Sequence, residues 1–179
     1  MQIHSYSEFD PSPPRNYEQG LRKVLDRLVI TMQRDALIRQ TINQLRESLE
    51  ADRVVLYYFY GSWQGQVTCE SVINSEYSIF GSTGPDNCFN QEYASLYLAG
   101  RVRVIPDIEL EVIHDCHREF LRSLQVRASL VVPVLVARGL WGLLIAHNCQ
   151  APRYWASSDI EQMQQAAKNM ATAHCIVES

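Results

Sequence analysis

Residues 129–136 read SLVVPVLV and residues 140–147 read LWGLLIAH. Both runs are rich in β-branched and aliphatic residues, and both have strand length. Arg138-Gly139 between them suits a tight turn, so the pair is expected to fold as an antiparallel hairpin. Pro133 has no N–H to give a ladder and favours an edge or a bulge. Working outward, residues 53–60 (RVVLYYFY) and 66–73 (QVTCESVI) form a second pair of strands around Gly61-Ser62-Trp63-Gln64-Gly65. Residues 101–105 add a short strand that Pro106-Asp107 ends. The resulting sheet is mostly antiparallel, with five or six strands.

Helical spacing flanks this sheet. Tyr17, Leu21, Val24, Leu25, Leu28, Val29 and Met32 mark one face of a first helix. Asp35 is placed to cap a second, carrying Leu37, Ile38, Thr41, Ile42, Leu45 and Leu49. Phe89, Tyr93, Leu96 and Tyr97 repeat at helical spacing before Gly100. At the C-terminal end Ser158 precedes Glu161 by three positions, a capping box. The helix it opens carries Ile160, Met163, Ala167, Met170, Ala171 and Ile176. Alternating hairpins and segregated helices make an α+β fold. The N- and C-terminal helices are expected on one sheet face. The long crossover between the second strand and the last hairpin is left to cover the other, and a pocket is expected beneath it.

The chain has 179 residues, 46% of them hydrophobic, enough for one domain with a substantial core. Residues 1–16, with Pro11, Pro13 and Pro14, read as a lead-in, and 17–179 as the domain. A net charge of −4 with no basic run argues against a nucleic-acid partner. No apolar run reaches membrane-spanning length, and the N-terminus lacks a signal peptide's blocks. Five scattered cysteines, an odd number, do not suggest a disulfide framework and fit a cytoplasmic setting.

The crossover contains the least ordinary stretch, residues 113–124 (IHDCHREFLRSL). As a helix it aligns Ile113, Cys116, His117, Phe120, Leu121 and Leu124 on one stripe, with Asp115, Arg118, Glu119 and Arg122 turned to water. A thiol and an imidazole therefore share the inward side. Taken singly, each residue has a plain explanation. Cys116 is a small hydrophobe. His117 is a satisfied core histidine, Asp86 a helix N-cap, and His147 a strand-end surface residue. The pairs Tyr57/Tyr58 and Tyr93/Tyr97 read as packing. Cys69, Cys149 and Cys175 read as structural. His114, Cys116, His117, His147 and Cys149 are also ligand types that zinc accepts, though their spacing matches no common zinc pattern. A thiol enzyme built on Cys116 and His117 is disfavoured, because adjacent helix residues point about a quarter-turn apart.

Taken together, three motifs resemble those of a GAF domain, and more particularly of the cyanobacteriochromes, bilin-binding photoreceptors. Cys116-His117-x-x-Phe120-Leu121 resembles the chromophore-attachment motif. Asp86-Asn87-Cys88-Phe89 is similar to the Asp-x-Cys-Phe motif of the two-cysteine, PixJ-type phototaxis photoreceptors. Residues 140–147, followed by Pro152-Arg153-x-Trp155, resemble that family's last hairpin and exit. The likeness spans roughly residues 20–176.

The resemblance implies a photosensory input module and not an enzyme. Its cofactor would be a covalent linear tetrapyrrole, phycocyanobilin or phycoviolobilin, with no metal. Cys116 would form the permanent thioether and Cys88 a second, reversible one at the central methine bridge. Asp86 would accept from pyrrole N–H groups, His117 would pack on the rings, and His147 would lie near ring D. Tyr97, Phe89 and Arg101 or Arg103 would complete the contacts. Making and breaking the Cys88 bond, coupled to Z/E isomerisation of ring D, would switch the domain between blue- and green-absorbing states. The implied partners are output domains of a longer chain, chemotaxis-type or similar, and a second copy met through the terminal helices. The implied location is a cytoplasmic domain of a membrane-anchored receptor. A GAF domain binding a cyclic nucleotide or another small ligand is the alternative within the fold.

Overall fold

Strand period and helix period separate cleanly along the chain. In a computed structural model, residues 15–61, 64–84 and 91–178 are described. The order is α1 (Arg15–Ser48), β1 (Arg53–Phe59), β2 (Gly65–Val72), a single 3-10 turn (Ser75–Tyr77), α2 (Gln91–Leu98), β3 (Arg103–Ile105), α3 (Asp115–Ser123), β4 (Ala128–Val136), β5 (Gly139–Asn148), α4 (Ser157–Thr172) and α5 (His174–Val177). The strands form one five-stranded sheet, β2-β1-β5-β4-β3, and every pairing is antiparallel.

The hairpin is as expected, with Gly139 at φ +125° closing the turn. Pro133 lies on β4 beyond the reach of β3, which pairs only with Ser129, Leu130 and Val131, so its missing N–H costs no ladder bond there. One residue later the register slips, and Trp141 is the extra residue of a bulge.

Period-2 alternation divides the sheet. Val54 and Leu56 of β1, Leu130, Val132 and Val134 of β4, and Leu144 and Ala146 of β5 face the helices. They pack with Ile38, Ile42 and Leu45 of α1, Leu49 just after it, and Met163, Ala167 and Met170 of α4. Each large aliphatic side chain buried here contributes about 1.5–3 kcal/mol relative to exposure. Both terminal helices therefore occupy one face, and the other is left to the crossover.

Two expectations are corrected. The N-terminal region is one helix, α1, of 34 residues rather than two. Asp35 lies within it, accepting from Arg34 Nε, because Gln33, Arg34 and Ala36 are good helix formers and a break would cost backbone hydrogen bonds. Helix α4 is capped two residues earlier than the Ser158/Glu161 box: Ala156 is the N-cap, and Asp159 Oδ2 accepts its N–H at 3.2 Å. Tyr57 and Tyr58 both pack, as expected, each against a different cluster. They point to opposite faces, Tyr58 edge-on to Trp141 with ring centres 5.2 Å apart and Tyr57 toward the crossover, edge-on to Phe59.

Candidate functional site

The crossover face of the sheet is built by the residues that alternate with the core set. Val55 and Tyr57 of β1, Val67 of β2, Arg103 and Ile105 of β3, Ser129 and Val131 of β4, and Leu143, Ile145 and His147 of β5 point this way. Strand pairing sets Val55, Ile145, Val131 and Arg103 in one row and Arg53, His147, Ser129 and Ile105 in the next. Segment 79–84 and helix α3 stand over these rows. Between them is a cleft of roughly 800 Å³, counting its mouth. Its lining is mostly apolar, with Arg103, His117, Ser129 and His147 among the polar residues, a composition suited to a largely apolar small molecule with a few polar groups.

Helix α3 supplies the wall. Its N-cap is His114, whose Nδ1 accepts the N–H of Cys116 at 3.2 Å. Leu121 is buried, and Cys116, His117, Phe120 and Leu124 are half-buried. His117, Phe120, Leu121 and Leu124 line the cleft, and Cys116 sits one position before them at the helix start. Arg118 departs from the expected water-facing side. It folds back to donate to the carbonyls of Ile108 and Glu111, fastening the preceding loop to the helix. Below the helix, buried Asp107 accepts two bonds from Arg127, each 2.8 Å.

His117 is pushed below its ordinary pKa, first by burial and then by the nearby Arg103 charge. It is therefore a neutral ring beside the cleft. Arg103 lines the cleft and pairs with Glu111 at 3.0 Å. Tyr97 is buried and also lines it. Arg101 is half-buried and does not line the cleft. Asp86, Cys88 and Phe89 lie outside the described residues.

Of the two readings of His147, the strand-end surface one fails. The residue is 3% exposed, on the cleft floor. Arg53, wholly buried, donates to its Nδ1 from Nε at 3.2 Å and lies 2.9 Å from it through Nη2. Burial drives His147 well below its ordinary pKa, and the Arg53 charge adds to this. Sequence reading missed Arg53. The available signal was period 2, which sets an arginine on the inward face that also presents Val55 and Tyr57. Ser129, buried and on the same floor, was missed for the same reason. Among the described residues, no three His, Cys, Asp or Glu side chains converge on one point.

Comparisons with known proteins agree with this architecture. The GAF domain profile matches residues 33–174. An uncharacterised protein of Picosynechococcus sp. is 46% identical over 155 residues, covering 87% of this chain and 95% of that protein. A putative methyl-accepting chemotaxis protein of Synechocystis sp. is 38% identical over 118 residues, covering 66% of this chain but 12% of that much longer protein. Among solved structures, the blue-light absorbing form of the PixJ GAF domain of Thermosynechococcus elongatus aligns with a TM-score of 0.75 at 34% identity, covering 80% of this chain and 86% of that one. The phycocyanobilin-bound GAF domain of a cyanobacterial phytochrome aligns with a TM-score of 0.74 at 26% identity, covering 90% and 94%.

Proposed function

The chain belongs to the GAF domain family, and we propose that it is a cyanobacteriochrome photosensory domain, not an enzyme, that holds a linear tetrapyrrole in the cleft over its sheet. One observation carries this reading: His117, directly after Cys116, lines an apolar cleft in a fold shared with bilin-binding domains. The bilin, phycocyanobilin or phycoviolobilin, would supply light absorption and reversible Z/E isomerisation of ring D. The residues of the chain would do the rest. Cys116, disulfide-bonded in this structure, would as the reduced thiol add across the ring A side-chain double bond, its sulfur forming the thioether and its proton going to carbon. The neutral His117 ring packs against the pyrroles. Arg103, at the cleft edge, would meet a propionate in place of Glu111.

The Asp86-Asn87-Cys88-Phe89 motif supports a finer proposal. Asp86 accepts from the pyrrole N–H groups, a charge-assisted arrangement. Cys88 would add its sulfur reversibly to the central methine carbon of the protonated bilin, giving up the thiol proton on addition and regaining it on elimination. That bond cuts the conjugated path, so the double thioether would absorb blue and the single thioether green. Output would pass through the terminal helices to a chemotaxis-type or kinase domain, as the names of two longer relatives suggest.

Co-expression with a phycocyanobilin-producing pathway tests the reading. The expected result is a coloured protein whose denatured band fluoresces with zinc, a signal that Cys116→Ala abolishes. A colourless product, or fluorescence that survives Cys116→Ala, would overturn it.

A further inference from the structure

The Arg53 guanidinium is among the most completely buried polar groups of the fold, and a carboxylate is not what it bonds. Its Nε and Nη2 reach Nδ1 of His147, Nη1 donates to the carbonyl of Tyr77, and Nη2 donates to the carbonyl of Leu124 at 3.0 Å. Burial of such a charge is costly unless each donor is satisfied, and here the in-plane fork meets three separate acceptors. Two of them anchor the cleft walls: Tyr77 opens the segment leading to Gly84, and Leu124 is the C-cap of α3.

The third acceptor decides a proton position. Guanidinium can only donate, so Nδ1 of His147 must carry a lone pair. A neutral imidazole with an unprotonated Nδ1 carries its hydrogen on Nε2. That nitrogen has no hydrogen-bond partner among the described residues, and the ring lines the cleft.

We infer that Arg53 is a positioning residue for the bound chromophore: it holds His147 in the Nε2–H form, making the cleft floor a fixed hydrogen-bond donor for a carbonyl oxygen of the ligand. The ligand half of this inference rests on the bilin reading; the proton position does not. A bilin carries carbonyl oxygens on its terminal rings and so offers the acceptor this donor lacks. A lysine at position 53 would be a point donor without the fork, unable to hold Nδ1 and both carbonyls at once.

The test has an arm that needs no chromophore. In protein labelled with 15N-histidine, long-range proton–nitrogen correlation reads which ring nitrogen of His147 is protonated, the signal being assigned by its loss in His147→Gln. The expected pattern is a protonated Nε2 and a bare Nδ1. A protonated Nδ1, or an imidazolium, would overturn the inference even if no variant of Arg53 folds. Arg53→Met should replace the single form with a mixture, and Arg53→Lys should restore it only in part. An unchanged tautomer in Arg53→Met overturns the assignment to Arg53.

The second arm uses phycocyanobilin-loaded protein. Arg53→Met and His147→Gln should displace the absorption maximum in the same direction, and the double variant should move it no further than the larger single shift. Additive shifts would overturn the link between the two residues. Failure of every form to take up bilin would instead count against the photoreceptor reading, leaving the tautomer result to stand or fall by itself.

Discussion

The hydroxyl of Tyr57 accepts the backbone N–H of Gly84 at 2.9 Å and donates to the carbonyl of Gly65 at 2.8 Å. These two bonds clasp strand β1, the start of β2 and the end of segment 79–84. Gly84 stands two positions before Asp86 in the sequence. A Cβ at position 84 would fall 2.8 Å from the Tyr57 oxygen, so a larger residue there would have to displace the hydroxyl. Tyr57→Phe removes both bonds and leaves a backbone donor to find water, a loss of about 1–3 kcal/mol. Urea denaturation should show it as a lower midpoint, with faster proteolysis within 79–84. An unchanged midpoint together with unchanged cleavage would mean that the clasp holds nothing.

Gly142 makes a second close approach to the same residue. A Cβ on it would sit 2.8 Å from the Tyr57 carbonyl oxygen and 3.3 Å from Leu56 Cδ1. Backbone cannot yield as a flexible side chain can. Gly142→Ala should therefore cost about 1–3 kcal/mol through displacement of β1 against β5. Thermal unfolding checks this, and a transition matching the parent would contradict the packing.

Stability should fall as the solution is acidified below neutrality. His117 and His147 are both held below the ordinary value of 6.5, chiefly by burial. On acidification the unfolded chain takes up protons there before the folded chain does. Their contribution is thus complete above about pH 6.5 and shrinks as pH falls toward the folded values. Asp107 and Glu109, lowered by hydrogen bonds from Arg127 and Arg122, add a loss of the same sign at more acid pH. Urea midpoints should decline between about pH 7 and 5, less steeply in His147→Gln. A flat profile over that range would refute the assignment.

The two proposed thioethers separate by mutation. Cys88→Ala should keep the covalent band on a denaturing gel, because Cys116 remains, and should lose the blue-absorbing state. Absorption spectra of the loaded protein before and after illumination check this. A blue-absorbing state that persists in Cys88→Ala would remove Cys88 from the mechanism.

The N-terminal half of α1 projects an apolar edge. Leu21, Leu25, Leu28 and Met32 alternate by four and three positions, and each is between 51% and 71% exposed. That is the spacing of a two-stranded helical seam, and we propose a second copy of the chain as its occupant. Leu25→Lys with Leu28→Lys should move the sedimentation coefficient from dimer to monomer without changing the cleft. A parent protein that sediments as a monomer at all concentrations would exclude this role.

Short-range patterns were legible wherever one element's own periodicity decided the outcome. The hairpin over 129–147, the α+β class and the shared face of the terminal helices follow from the alternation of apolar residues and from turn chemistry at Gly139. The inward stripe of residues 113–124 was legible too, apart from Arg118, whose long side chain reaches carbonyls that no helical wheel displays. The division of α1 into two helices misread Asp35, because a capping residue marks a helix start only where the chain before it is not already helical.

By itself, then, the sequence determined where strand and helix periods run, apart from the continuity of α1 and the start of α4, and which side of each is apolar, because those are local properties of spacing and side-chain chemistry. Only the tertiary structure decided what the polar residues on the inward side are for. Arg53 and His147 stand 94 positions apart and meet because β1 and β5 pair in one register. A shift of that register by one residue would turn either side chain to the opposite face. Whether a buried imidazole is a surface bystander or a donor aimed into a cleft is set by its neighbour across the sheet. That neighbour is a long-range contact, which no local pattern encodes.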